Sequence, residues 1–329
     1  MNQDIVFEVL GACDKRRAER RNFMKLAGGA GAALAGASLL AGCSSNDDGA
    51  IVTPSPTPSP TATPTADENV LNFALNLEYL EAQFYSYAAT GFALPTDLLG
   101  GTGNYGQVKG GRQVAFSDPA VARYAREIAA DEQQHVAFLR GVLGSVAVAQ
   151  PAIDISADAT GAFSAAARAA GLVGAGQAFD PYANDQNFLL AAFIFEDVGV
   201  SAYKGASPLI TNKTYLEAAA GILAAEAYHA GLIRTTLYRK GLATPAVIDA
   251  TEAISNARDS LDGASDLDQG IRPIGSASNL VPTDSSGVAF SRNAGQVLNI
   301  AYLNKAAVDR GGFFPAGVNG TIRLSAASG

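Results

Sequence analysis

The chain has two histidines, and each sits in the same sequence frame. Residues 130–140 read ADEQQHVAFLR and residues 224–234 read AAEAYHAGLIR. Both fit Ala-x-Glu-x-x-His-x-x-x-(Leu/Ile)-Arg, so Glu132, His135 and Arg140 correspond to Glu226, His229 and Arg234 at a constant offset of 94 residues. The i, i+3 spacing puts the Glu and the His of each frame on one face of a helix. A second repeat accompanies the first. EYLEAQFY places Glu78 seven residues before Tyr85, and EDVGVSAY places Glu196 seven residues before Tyr203. Glu78 and Glu196 interrupt strongly apolar runs, and a carboxylate facing a dry core is costly unless it is paired or bound to a cation. The chain must therefore fold as two related helix pairs that bring their acids together.

The apolar periodicity predicts four long helices, at about 67–90, 118–145, 185–204 and 211–240. Asp67 is the expected N-cap of the first. Ser117 or Asp118, followed by Pro119, caps the second, and Gly241 closes the fourth. A Gly-rich loop, 91–117, joins the first pair, and a longer stretch, 146–184, joins the second helix to the third, with a short helix near 159–170. Shorter helices are expected at 245–260 and 295–304, and no strand is. The fold class is all-α, a four-helix bundle over 67–245 with a long crossover between helices 2 and 3, followed by a C-terminal extension over 246–329 packed on the bundle. Hydrophobic residues make up 48% of the chain and charged residues 16%, enough apolar material for a large core. A net charge of −8 argues against nucleic acid as a partner.

One Glu from each of two helices, with Glu-x-x-His from each of the other two, is the donor set of a carboxylate-bridged dinuclear site. Four carboxylates and two imidazoles suit two divalent ions, iron or manganese, because the carboxylates neutralise them and two can bridge. Glu81 shares the face of Glu78 at i+3; it reads as an extra ligand, a proton carrier, or a buried acid paired with an arginine. The internal repeat pairs Glu78 with Glu196 and Glu81 with Gly199, which favours Glu78 as the ligand. Tyr85 and Tyr203 are placed to donate hydrogen bonds to the ligands or to serve as core. Arg140 and Arg234 are expected on the solvent side or in ion pairs. Asp131 and Asp197 neighbour ligands in sequence but point elsewhere, with a hydrogen bond to a ligand imidazole still open to them. GGTGNYGQVKGG, residues 100–111, lacks the strand-to-helix context of a phosphate loop and reads as surface loop.

The four helices resemble the ferritin-like superfamily of dinuclear iron and manganese proteins. LNFALNLEYLEAQFY, FEDVGVSAY, NLVPTD, FSR and GGFFPAGVNG are similar to its secreted, desiccation-related branch, and the resemblance covers roughly residues 67–320. The resemblance implies Glu78, Glu132, His135, Glu196, Glu226 and His229 as metal ligands, with Glu132 and Glu226 bridging. It also implies oxidative chemistry with O2 or peroxide as the small-molecule substrate: ferroxidase, peroxide-consuming or oxidase-like. The alternative is a non-catalytic envelope protein that protects against stress or drying and holds its metals as a structural staple.

The N-terminal segment carries its own reading. ERRNFMKLAGGAGAALAGASLLAGC, residues 19–43, has paired arginines, a weakly apolar run too short and glycine-rich to span a membrane, and a LAGC end. This resembles a twin-arginine export signal over 1–42 with a bacterial lipobox. Cleavage and lipidation at Cys43 would anchor the chain to a membrane of the cell envelope, facing the periplasm or the exterior. Residues 1–42 hold six Lys/Arg and four Asp/Glu, so their removal takes the net charge to −10 and takes Cys13 with it. Residues 43–66, rich in Pro, Thr and Ser, form a tether that cannot pack.

Overall fold

The computed structural model describes residues 63–328. The expected signal at 1–42, the lipidated Cys43 and most of the tether lie outside the described residues. The described residues form an all-α fold with one short sheet. Helix α1 spans Ala66–Thr90, α2 Pro119–Leu143, α3 Ala162–Ala169, α4 Asp185–Ala206, α5 Lys213–Ala243, α6 Ala246–Asp262 and α7 Ala294–Tyr302. Among the described residues no helix is long and apolar enough to cross a membrane.

Helix starts follow their capping residues. Thr65, not Asp67, caps α1, and it forms a reciprocal capping box with Glu68. The Asp67 carboxylate instead accepts from the backbone N–H groups of Thr211 and Asn212, which ties the start of α1 to the start of α5. Asp118 caps α2 with Pro119 in the first turn, Asn184 caps α4 and Asn212 caps α5. Gly241 does not end α5. The helix runs on to Ala243, and the missing side chain of Gly241 makes room for Ile248 of α6.

Helix α1 packs most extensively on α2, and α4 on α5, so the bundle is two hairpins joined by the crossover. Helices α1 and α4 are buried on nearly every side and form the inner pair, which is why their sequences are apolar all round. The extension returns to cover them, with α7 against α4 and α6 against both α4 and α5. Phe84 of α1, Phe163 of α3, Phe195 of α4 and Phe313 of the tail form one aromatic cluster, with neighbouring ring centroids 5.0–5.6 Å apart.

Two features differ from the sequence reading. Strand β1, Val108–Gly110, pairs in parallel with β2, Ile153–Ile155. At three residues each, neither strand is long enough to show a period in sequence. The Gly-rich loop lies on the surface, as expected, but is stitched there to the crossover. Its close approach needs glycine: a Cβ on Gly106 would stand 2.1 Å from the backbone nitrogen of Ala152.

Arg234 is buried, not solvent-facing, and it is in an ion pair. It pairs with Asp197 at 2.8 Å and donates to the carbonyls of Gln269, Gly270, Asn279 and Leu280. Arg258 joins Asp197 to Asp268, and Arg292 joins Asp268 to Asp262. Three arginines and three aspartates thus lock the extension onto α4 and α5. Arg140, the counterpart of Arg234, is half-buried and donates to the Tyr79 hydroxyl and the Gly100 carbonyl. Removing one partner of a buried ion pair strands the other charge and costs about 3–5 kcal/mol. Arg234→Ala should therefore lower the unfolding free energy by that amount, seen as a lower denaturant midpoint with little change in slope, whereas Arg310→Ala, at an exposed pair, should leave the midpoint nearly unmoved.

Candidate metal centre

Each bundle helix contributes the acid that its sequence frame implies. Glu78 comes from α1, Glu132 and His135 from α2, Glu196 from α4, and Glu226 and His229 from α5. All six are buried, and the four carboxylates are at most 1% exposed. They meet as two overlapping groups. Ligand atoms of Glu78, Glu132, His135 and Glu226 lie within 4.8 Å of one another, and so do those of Glu132, Glu196 and His229. Glu132 belongs to both groups. Its Oε2 is 3.6 Å from His135 Nδ1, and its Oε1 is 3.1 Å from His229 Nδ1. Glu226 belongs to the first group only, with Oε1 3.5 Å from His135 Nδ1.

His135 Nδ1 and Glu78 Oε2 share a hydrogen bond at 3.2 Å, but most of the short distances here do not amount to hydrogen bonds. Both oxygens of Glu132, both of Glu226, Oε2 of Glu196 and Nδ1 of His229 are buried without a hydrogen-bond partner. Buried polar atoms are nearly always satisfied, so a cluster of orphaned donors and acceptors needs a physical cause. The atoms are aimed at common points between the helices rather than at each other. No lysine or arginine among the described residues forms an ion pair with these four acids. Four carboxylates would neutralise two divalent cations with both imidazoles neutral. The donor set fits such ions: hard oxygens with imidazole nitrogens, the chemistry of iron and manganese.

The surrounding groups hold the ligands in place. The Tyr85 hydroxyl of α1 donates to Glu196 Oε1 of α4, and the Tyr203 hydroxyl of α4 donates to Glu78 Oε1 of α1. Each inner helix thus orients the acid of the other, leaving one oxygen of each carboxylate for the centre. His229 Nε2 lies 3.3 Å from the Asp131 carboxylate, which favours the tautomer whose Nδ1 lone pair faces the cluster. Asp197, by contrast, is committed to Arg234 and Arg258. The repeat puts Ala225 of α5 where Asp131 of α2 stands, so α5 offers His135 no matching carboxylate. Glu81 is buried beside the centre, outside both groups, and pairs with no arginine among the described residues.

Burial and mutual repulsion shape the protonation. Burial raises Glu78 to about 7 and Glu196 to about 8, against the opposing pull of the histidines. Burial raises Glu226 and Glu81 as well, and neighbouring carboxylates push in the same direction. Burial opposes ionisation of Glu132, but His135 and His229 overcome it and hold this acid below the usual range. Burial pulls both histidines down, yet the adjacent carboxylates win, raising His135 to about 11 and His229 to about 10. Protons thus occupy the cluster at neutral pH when no metal competes.

Metal ligands must be deprotonated, so metal uptake has to release those protons. Affinity for a divalent ion should rise steadily with pH from 6 to 8 as Glu78 and Glu196 lose theirs, and each binding event should acidify a weakly buffered solution. Titration calorimetry in buffers of different ionisation enthalpy measures the proton count. An affinity that is flat across that interval contradicts the assignment of these groups to the centre.

Residues 66–239 match the ferritin-like domain family. The chain is 28% identical over 285 residues to the ferritin-like catalase Nec2 of Nesocodon mauritianus, covering 82% of this chain and 88% of that protein. It is 32% identical over 239 residues to the desiccation-related protein PCC13-62 of Craterostigma plantagineum, covering 69% of this chain and 74% of that one. No solved structure matches.

Proposed function

The chain belongs to the ferritin-like family, and from that membership we propose that it is an exported protein with a dinuclear iron or manganese centre used for oxidative chemistry with O2 or peroxide. The observation that carries this reading is the set of orphaned ligand atoms at the bundle centre, contributed by four helices and paired with no lysine or arginine among the described residues. Glu78, Glu132 and His135, with Glu226, would hold one ion; Glu196 and His229, with Glu132 shared, would hold the other. Two such ions would supply two one-electron centres, enough for chemistry that moves a pair of electrons.

The residues of the chain do the rest. Tyr85 and Tyr203 fix the two unshared carboxylates, Asp131 fixes His229, and the apolar bodies of α1 and α4 exclude bulk water. The name of the catalase relative favours peroxide among the substrates. The name of the desiccation-related relative supports the second reading, in which the same ions staple a protective envelope protein and change no oxidation state. Export rests on the sequence of residues 1–43: a twin-arginine signal ending in a lipobox, then a tether over 43–66 that holds the bundle of 67–245 and its extension of 246–329 away from the membrane.

Elemental analysis of the purified full chain beside its His135→Ala/His229→Ala double variant tests the proposal. Iron or manganese at about two ions per chain, lost in the variant, supports the dinuclear centre. A folded wild type that takes up neither metal overturns it.

A further inference from the structure

A small apolar pocket lies against the centre on the side closed by the tail. It sits between α1, α4 and α7, and Leu77, Val198, Ile300 and Phe313 form much of its wall. Glu81 is its single ionisable residue. The space is about 30 Å³, room for one or two molecules the size of water. Gly199 belongs to the same wall, and a Cβ there would stand 2.3 Å from Glu226 Oε2 and 3.6 Å from Glu81 Oε1. The pocket and a metal-site carboxylate therefore share the gap that Gly199 leaves. The internal repeat sets Gly199 opposite Glu81, so this asymmetry between the two halves is what opens the pocket toward the centre.

We propose that this pocket is the dioxygen port of the centre, the place where O2 is held as it arrives or leaves. The inference rests on the dinuclear reading above and adds a route to it. Dioxygen has no hydrogen-bonding groups to strand in an apolar wall. Peroxide has two O–H donors and four lone pairs, which Glu81 alone cannot satisfy, and burying the remainder unpartnered costs a few kcal/mol. Peroxide is better served by the opposite face, where α2 and α5 present the half-exposed Asp131 carboxylate beside His229. The port serves either direction of chemistry: O2 consumed as oxidant, or O2 released when two peroxides give two waters and one dioxygen. The outer wall is α7, so the C-terminal extension becomes part of the working site.

The test uses the full chain with labelled methyl groups, under dissolved O2, with zinc in place of a redox metal. Paramagnetic relaxation of the Val198, Val297 and Ile300 methyls should exceed that of equally buried methyls away from the pocket, such as Val121 and Ile233. Ala301→Phe, which fills the pocket, should abolish the excess; Ala301→Leu serves if the larger side chain prevents folding. In the iron- or manganese-loaded chain the same variant should show a several-fold slower uptake or release of O2 at unchanged metal content. Relaxation no greater than at the reference methyls overturns the pocket, and so does a variant whose O2 rate is unchanged. A wild type that holds both metals yet neither consumes nor releases O2 removes the chemistry and the port with it, while the zinc experiment shows separately whether the pocket takes up the gas.

Discussion

Four carboxylates at the bundle centre repel one another, and the two imidazoles beside them compensate at most half of that charge. Taking one such ion out of water costs several kcal/mol even after the surroundings relax. Glu78, Glu132, Glu196 and Glu226 are all at most 1% exposed, and each comes from a different helix. On the proposed reading, two divalent cations would make the arrangement favourable, because charge would then balance and the orphaned oxygens would find partners. Much else follows from that requirement. Helices α1 and α4 are apolar on nearly all sides because they line a centre from which water must be kept. The tyrosines cross between them because a ligand carboxylate that swings loses its geometry.

The extension is the second consequence. An inner pair buried on both flanks needs a cover where α2 and α5 leave it open, and α6 and α7 provide it. Arg234, Arg258 and Arg292 fasten this cover through Asp197, Asp262 and Asp268. Asp197 follows the Glu196 of the centre directly in α4, so the lock and the metal site sit on adjacent positions of one helix. Movement of the tail would be felt at Glu196 through a single peptide unit.

Helix positions are legible in the sequence, because long apolar periods and capping residues mark them: α2 and α4 begin where Asp118 and Asn184 supply side-chain acceptors. The meeting of six residues is legible too. A chain with two histidines repeats their surroundings, and a glutamate inside an apolar run must be paired or bound to a cation. Features that depend on a distant partner are not legible. The strands at 108–110 and 153–155 are too short to show a period, and the need for Gly106 is visible only once Ala152 stands beside it. Arg140 and Arg234 occupy the same place in the repeat, yet the tail buries one and leaves the other half-exposed, a difference no local pattern carries. Asp67 precedes an apolar run as a cap would; its carboxylate is drawn instead to the start of α5, and Thr65 takes the capping role.

The proposed chemistry requires that the two overlapping ligand groups hold two ions joined through Glu132. Anomalous diffraction from crystals of the full chain, recorded on either side of the iron and manganese absorption edges, tests this most directly. Two peaks are expected, one among Glu78, His135 and Glu226 and one between Glu196 and His229, with a Glu132 oxygen beside each. A single peak, or two peaks that Glu132 does not join, would contradict it.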